Sequence, residues 1–482
     1  MATHHAAVDL GASNGRVIVG EVADGTITLH EVHRFPNGAI PVGDRLYTDT
    51  LGLYAGVLEG LRRARHHFSV CSIGVDSWGV DYGRIDREGQ LLGSPRHYRD
   101  ERTLPHIETL RERMNDQDVY TATGINIAPY NSIYQLMDDA TSIQWDLVER
   151  VLFTPDLIGY LLSGRAGAEV TIASSSQLLN AATREWSPKV AKAAGIPLSI
   201  FAPLEEPGTR RGPIRADLID GDPIELIAVG GHDTASAVAA TPASDAHFAY
   251  ISCGTWSVVG AELEAPITSA AAREAGYTNE LGVQGRVRFN RNLTGLWLLQ
   301  ECQREWRERG ENADLMDLLD AAAAAPSLRS VVDAGSEVFL PRGGMEERIK
   351  EECRRTDQPV PETPGEVVRC VLDSLALSHA QTIRSIEELG GPEVRVVHIV
   401  GGGSLNELLC QLTADACQLP VVAGPVEAAA LGNVLMQAHA MGEIEGELTD
   451  LRAVVAASGG VRRYEPHGNA EVWRSASARL GL

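Results

Sequence analysis

Five short stretches of the sequence gather side chains and glycines in spacings that can do chemistry. The first is Asp9-Leu10-Gly11-Ala12-Ser13-Asn14-Gly15-Arg16, a strand that turns on glycine and returns as a second strand. Successive backbone N–H groups around such a turn line a concavity that suits a phosphate without a helix or a lysine. Gly11 and Gly15 are expected to give backbone freedom and close approach, Ser13 and Asn14 further donors, and Arg16 a charged fork. Asp9, at the end of the strand, can position a hydrated Mg²⁺. A plain polar β-turn has the same composition, so both readings stand. The stretch Ser252-Cys253-Gly254-Thr255-Trp256-Ser257 repeats the strand-turn-strand device.

Gly230-Gly231-His232-Asp233-Thr234-Ala235-Ser236 stands where an apolar strand gives way to a helix of small residues. An aspartate there serves as a helix N-cap, or as a general base that takes a proton from a substrate hydroxyl. Asp76-Ser77-Trp78-Gly79-Val80-Asp81 mixes carboxylates, an indole and a glycine, the mixture that sugar hydroxyls and apolar sugar faces want together. A core tryptophan beside turn-forming aspartates reads the same way. Val400-Gly401-Gly402-Gly403-Ser404 leads a strand into a helix like a nucleotide turn, but Asn406 stands where the dinucleotide fingerprint has its last glycine. Arg291-Asn292-Leu293-Thr294-Gly295-Leu296-Trp297 reads as a helix start. No metal-ligand spacing appears, since His4-His5 and His66-His67 are adjacent pairs read as lying in a tail and at a helix end.

The elements that must hold these residues come in two blocks. Val-, Ile- and Thr-rich runs at 6–12, 16–22 and 26–32 read as strands, followed by a helix over 51–67 and a strand over 72–79 ending in Asp76. Residues 80–92 read as a hairpin, 105–200 as mostly helix and loop, and 224–229 as a short strand. The second block has strands at 248–252, 256–263, 394–400 and 419–423, with helices at 295–309, 365–389, 406–417 and 426–441. A boundary near 241/242 is expected, giving domains 1–241 and 242–482, since 482 residues exceed what one core usually supports.

Composition narrows the partners. With 42 basic and 65 acidic side chains the net charge is −23, which argues against nucleic acid and anionic membrane surfaces. The only lysines are Lys189, Lys192 and Lys350, and none follows a glycine, so the loop G-x-x-x-x-G-K-[ST] is absent. Seven cysteines without a C-x-x-C pair, no signal-peptide pattern and no long apolar run point to a reducing, cytoplasmic setting. Cys353 and Cys370 are a conceivable pair.

Taken together, residues 7–16, 74–83, 231–238, 252–257, 292–300, 372–377, 398–406 and 423–433 resemble the FGGY family of carbohydrate kinases, in the family's order over about residues 6–435. The likeness is strongest to the members that act on L-rhamnulose. It implies an α/β protein of two actin-like (ribonuclease H-like) ATPase domains flanking a catalytic cleft, with Mg²⁺ and ATP as co-substrate. The activity implied is phosphorylation of the 1-hydroxyl of L-rhamnulose; L-fuculose, a pentulose, or sugar-free ATPase activity are the alternatives. By the same resemblance Asp233 is the base, and Gly79, His232, Thr234 and Asn292 match sugar-site positions. Ala12, Ser13, Asn14, Gly15, Arg16, Thr255, Gln300 and Gly402 match nucleotide-site positions. Asn14 departs from the more usual serine.

Overall fold

The computed structural model describes residues 2–481. The chain opens on three consecutive strands, β1 (Thr3–Leu10), β2 (Asn14–Ala23) and β3 (Thr26–Pro36), joined as antiparallel neighbours. Residues 5–10 of β1 are all buried, as a near-continuous apolar run in a covered central strand must be. Helix α1 (Thr50–His67) starts where the Asp49 carboxylate accepts the Gly52 N–H, and buries Leu53, Val57, Leu61 and Ala64 at helical spacing. Its last turn carries Arg65, His66 and His67, favourable at the negative end of the helix.

Strand β4 (Val70–Ser77) then lies parallel to β1, and β5 (Arg210–Pro213) and β6 (Glu225–Ile227) complete a six-stranded sheet in the order β5-β6-β4-β1-β2-β3. Helix α2 (Asp233–Ala239) leaves the end of this sheet. The second run of elements is β7 (Phe248–Cys253), β8 (Trp256–Leu263), β9 (Thr278–Leu281), β10 (Val287–Thr294) and helix α3 (Trp297–Glu308). Helix α4 (Pro364–Glu388) follows, started by a reciprocal Thr363/Glu366 cap and Pro364. The chain ends with β11 (Val396–Val400), α5 (Glu407–Cys417), β12 (Val421–Ala423), α6 (Ala428–Ala440) and β13 (Arg462–Tyr464).

Two compact units result. One contains the chain up to Ser244, Glu262–Phe289 and Ala428–Gly459; the other contains Asp245–Ala261, Asn290–Glu427 and the chain from Gly460. The first is built on the β1 sheet and the second on β7, which pairs antiparallel with β8 and parallel with β11, itself parallel to β12. Each unit therefore repeats one plan: an antiparallel hairpin whose first strand continues into parallel neighbours. In the first unit α6 packs on α2 so closely that a Cβ at Gly432 would lie 1.8 Å from the Ser236 carbonyl oxygen. No helix among the described residues is long and apolar enough to cross a membrane.

Three local expectations are corrected. Asn292 lies in strand β10, and the helix begins only at Trp297, because Val287, Phe289 and Leu293 bury as an extended run. The segment after Val80 gives a strand, Tyr82–Ile85, whose main partner is Arg150–Phe153 rather than its own return. His5 is not in a tail; it is fully buried in β1.

Candidate active site

Two strand ends of the first unit and the segment that follows a third strand lie side by side, and each delivers an aspartate. Asp9 and Asp76 are register partners on the parallel strands β1 and β4. The neighbouring segment is tied to β4 by the Ser77 N–H donating to the Gly231 carbonyl at 2.9 Å, and its next residues are His232 and Asp233. The ends of parallel strands are where open α/β sheets bind ligands, because the helices that follow splay apart there.

The three carboxylates have different surroundings. Asp76 is fully buried; burial and then Asp9 push its pKa well above the usual carboxylate range, against the Asn433 side chain, which donates to Oδ2 at 2.6 Å. Its other oxygen, Oδ1, has no hydrogen-bond partner among the described residues. Asp9 is paired with Arg16 across the hairpin, so one arm of the expected charged fork meets a carboxylate of the same site. Asp233 is the first residue of α2 rather than its cap; its Oδ1 accepts the Thr234 N–H at 2.5 Å and the Thr234 hydroxyl at 3.1 Å. Its side chain keeps 30% exposure, and burial raises its pKa, with Asp9 adding to the rise and His232 opposing it. A buried carboxylate oxygen without a partner, one strand from a second carboxylate, is a donor set that fits a hydrated divalent cation. Among the described residues, the group with metal-ligand atoms within 4.8 Å of one another is elsewhere, at His5, Cys71 and Glu443.

In the first turn, the Gly11 N–H closes the loop by donating to the Asn14 carbonyl at 2.9 Å, while Ala12 and Ser13 stand exposed. Asn37 braces the loop by donating to the Gly11 and Ser13 carbonyls. Asn14 donates to Ser13 Oγ at 3.3 Å and accepts from Arg34 at 3.2 Å. Neither Gly11 nor Gly15 has a left-handed φ. Gly15 is required by contact instead, since a Cβ there would lie 2.3 Å from the Phe35 ring.

Gly79 lies in a turn in which Val80 adopts φ 69°, a conformation strained for a β-branched residue. Ser175 Oγ holds the Val80 N–H, and Ser132 Oγ donates to its carbonyl. A Cβ on Gly79 would stand 3.3 Å from Ser175 Oγ and 3.4 Å from His232 Nε2. Trp78 and Asp81 are buried partners, the indole donating at 2.9 Å to a carboxyl that burial pushes up to about 7. The core reading of Trp78 therefore holds. His232 Nε2 lies 3.5 Å from Asp233 Oδ1, while Nδ1 faces Arg288 Nη2 at 3.0 Å and Glu280 Oε2 at 3.4 Å. Sequence reasoning does not single out Glu280 and Arg288. Their signal in the sequence is faint, a charge between apolar neighbours in Asn279-Glu280-Leu281 and Val287-Arg288-Phe289.

The second unit assembles its own group. The Gly254 N–H bonds back to the Trp256 carbonyl at 2.8 Å, and the Gly254 and Thr255 carbonyls accept the N–H groups of Gly295, Leu296 and Trp297 ahead of and within the first turn of α3. Thr255 donates to Gln300 Oε1 at 3.1 Å, and both residues are exposed. Gly401, with φ 83°, and Gly403 pack on Cys253, whereas Gly402 is exposed, and a Cβ there would meet no atom within 4 Å. Thr255, bonded to Gln300, and the Gly401–Gly403 turn, packed on Cys253, thus lie at one end of the β7 sheet. Asn292 is exposed near the end of β10.

This pairing of duplicated sheets with glycine turns has counterparts among known proteins. Models of the FGGY family of carbohydrate kinases match the chain twice, the N-terminal domain over residues 5–240 and the C-terminal domain over 249–441. The chain belongs to the FGGY family of carbohydrate kinases. Rhamnulokinase of Bacteroides thetaiotaomicron is 40% identical to this FGGY kinase over 476 residues, 98% of this chain and 97% of that protein. Rhamnulokinase of Bacillus subtilis is 35% identical over 466 residues, 96% and 95% of the two chains. Gluconate kinase from Lactobacillus acidophilus superposes with a TM-score of 0.81 at 15% identity, covering 100% of this chain and 97% of its own. Plasmodium falciparum glycerol kinase with ADP gives 0.81 at 14% identity, over 99% and 97%. The FGGY kinase fold here is the mixed α/β, two-domain, actin-like ATPase fold, and the enzyme is a phosphotransferase.

Proposed function

We propose that this FGGY kinase transfers the γ-phosphoryl group of ATP to the 1-hydroxyl of L-rhamnulose, giving L-rhamnulose 1-phosphate and ADP in L-rhamnose degradation. The observation that carries the reading is the 40% identity to a rhamnulokinase over 98% of the chain. Asp233, at a strand end with partial exposure and a raised pKa, supports it as the base. The acceptor site, first phosphate loop and base are assigned to residues 1–241, and the second phosphate turn and adenosine site to 242–482.

In this mechanism the Asp233 carboxylate takes the proton of the 1-hydroxyl as that oxygen attacks the γ-phosphorus. The new O–P bond forms while the bond to the β,γ-bridging oxygen breaks, and ADP leaves with the electron pair. Asp233 then returns its proton to solvent. Gly79, His232, Thr234 and Asn292 are assigned to the sugar. The Ala12–Arg16 turn, Thr255, Gln300 and Gly402 are assigned to the nucleotide. Asp9 and Asp76 would hold Mg²⁺, Asp9 through water; the ion supplies charge neutralisation at the phosphates. Phosphoryl transfer needs mainly positioning and electrostatic support, which backbone amides and hydroxyls provide where lysine is nearly absent.

A coupled ADP-release assay with ATP and Mg²⁺ over L-rhamnulose, L-fuculose and a set of pentuloses tests the reading. L-rhamnulose is expected to give the highest kcat/KM, with phosphate on C1 of the product by NMR. An equal or higher kcat/KM on another ketose overturns the substrate, and ADP release that ignores sugar overturns the kinase mechanism.

A further inference from the structure

We propose that Arg288, held by Glu280, is a positioning residue that locks His232 as the neutral tautomer with its proton on Nε2. The proposal rests on the reading of Asp233 as the base. Arg288 lies on β10 and is fully buried, and Glu280 lies on the adjacent strand β9 with its side chain 12% exposed. The guanidinium is anchored at three points: Nε donates to the Leu281 carbonyl at 3.3 Å, Nη1 meets Glu280 Oε2 at 3.0 Å, and Nη2 meets His232 Nδ1 at 3.0 Å. A guanidinium has donors and no acceptor. A ring nitrogen 3.0 Å from one must offer a lone pair, so Nδ1 is unprotonated and the proton of the neutral ring sits on Nε2. Glu280 Oε2 competes as an acceptor for an Nδ1 proton, but at 3.4 Å it is beyond good hydrogen-bond distance and is already neutralised by Arg288.

The consequence falls on the reacting carboxylate. Nε2 is the nitrogen on the Asp233 side, 3.5 Å from Oδ1 and beside Gly79. The locked tautomer turns an N–H donor toward the place where the sugar is assigned to bind. It also avoids a full imidazolium charge next to Asp233, which would stabilise the carboxylate and weaken it as a base. Without Arg288, Nδ1 loses its donor, and Glu280 Oε2 at 3.4 Å is the acceptor that faces a proton there. Asp233, Glu280 and Arg288 are the charged groups that face the imidazole, from α2, β9 and β10 respectively.

The test is ¹⁵N NMR of the unliganded full chain labelled in its 14 histidines, with the His232 resonances assigned by their loss in H232Q. The expected spectrum at about pH 7.5 shows an unprotonated Nδ1 and a protonated Nε2. R288M is expected to move the proton to Nδ1 or to protonate both nitrogens, R288K to keep it on Nε2, and E280Q to leave the tautomer unchanged. In turnover, R288M should raise the KM for the ketose more than tenfold and move the acid limb of kcat to lower pH, with R288K restoring part of both. A wild-type ring protonated on Nδ1, or an R288M ring unchanged on Nε2, overturns the proposal. If R288M does not fold, the wild-type and E280Q spectra decide. The tautomer is read without turnover, so a wrong substrate or base assignment leaves this result standing and is detected separately in the ketose assay and in D233N.

Discussion

Asp233 owes its position to backbone pairing: the Ser77–Gly231 hydrogen bond fixes the strand end, and α2 begins on the aspartate itself. Its pKa is raised chiefly by burial, so the carboxylate is a stronger base than an exposed aspartate. D233N keeps the shape and removes the base; kcat is expected to fall by roughly 10²–10⁴-fold while ATP binding, measured by calorimetry, stays close to wild type. The base must be ionised, so kcat/KM should decline as pH drops through the Asp233 pKa, and the limb should lie above 3.8, the ordinary value. A limb below that, or D233N turning over at the wild-type rate, removes Asp233 from the role. Asp9 and Asp76 are visible in the sequence because each stands near a strand end before glycine or serine, and Asp233 because it follows Gly230-Gly231 where an apolar strand gives way to a helix. Glu280 and Arg288 are not, since the sequence marks no element over residues 264–290 and their meaning depends on a histidine far away in the chain.

Elements are legible where they are long or bounded by glycine, proline or a cap, as in α1, α4 and the hairpins on either side of Gly11 and Gly254. The short strands β5 and β13 escape a sequence reading because Arg210-Arg211-Gly212-Pro213 and Arg462-Arg463-Tyr464 carry no apolar alternation; only their neighbours make them strands. The turn at Cys253–Trp256 is more than a hairpin bend, because its carbonyls bond the residues leading into α3. Gly295 makes that possible: a Cβ there would lie 2.6 Å from the Trp256 carbonyl carbon and 2.8 Å from the Gly254 oxygen, both backbone atoms. G295A must push the turn away. It should cost about 1–3 kcal/mol in urea unfolding and raise the KM for ATP roughly tenfold or more through the displaced turn. G402A is the counterpart, since a Cβ there meets nothing. Its stability should stay within about 0.5 kcal/mol of wild type while the KM for ATP rises, the separation expected of a glycine kept for a ligand.

At the scale of the molecule, the first unit is closed by a directed chain of hydrogen bonds joining distant parts of the sequence. Gln437 Nε2 donates to the Ala6 carbonyl at 3.0 Å and to Asn433 Oδ1 at 2.7 Å, which leaves Oε1 as the acceptor of the Ser72 hydroxyl at 2.6 Å. Ser72 has then spent its only proton, so its oxygen must accept from His5 Nδ1 at 2.8 Å. His5 Nε2 faces the Glu443 carboxylate at 2.9 Å, so both ring nitrogens donate and the ring is an imidazolium. Burial opposes that charge, but the hydrogen bonds to Cys71 and Glu443 prevail and hold the pKa at about 9. From the other end, Asn433 Nδ2 passes the chain to Asp76. A histidine pKa raised from 6.5 to about 9 on folding contributes stability that is complete below pH 6.5 and is lost as pH rises through 9. The contribution is on the order of 3 kcal/mol at most, at about 1.4 kcal/mol per pKa unit. E443Q removes the acceptor charge, and with it the part of the shift that Glu443 supplies beside Cys71. Between about pH 6.5 and 9.5 the wild-type melting temperature should therefore fall by several degrees more than that of E443Q, the two curves converging at the alkaline end. Parallel curves across that range would mean that His5 is neutral in the folded protein and that the Ser72–Gln437–Asn433 bonds do not run in the direction their donors dictate.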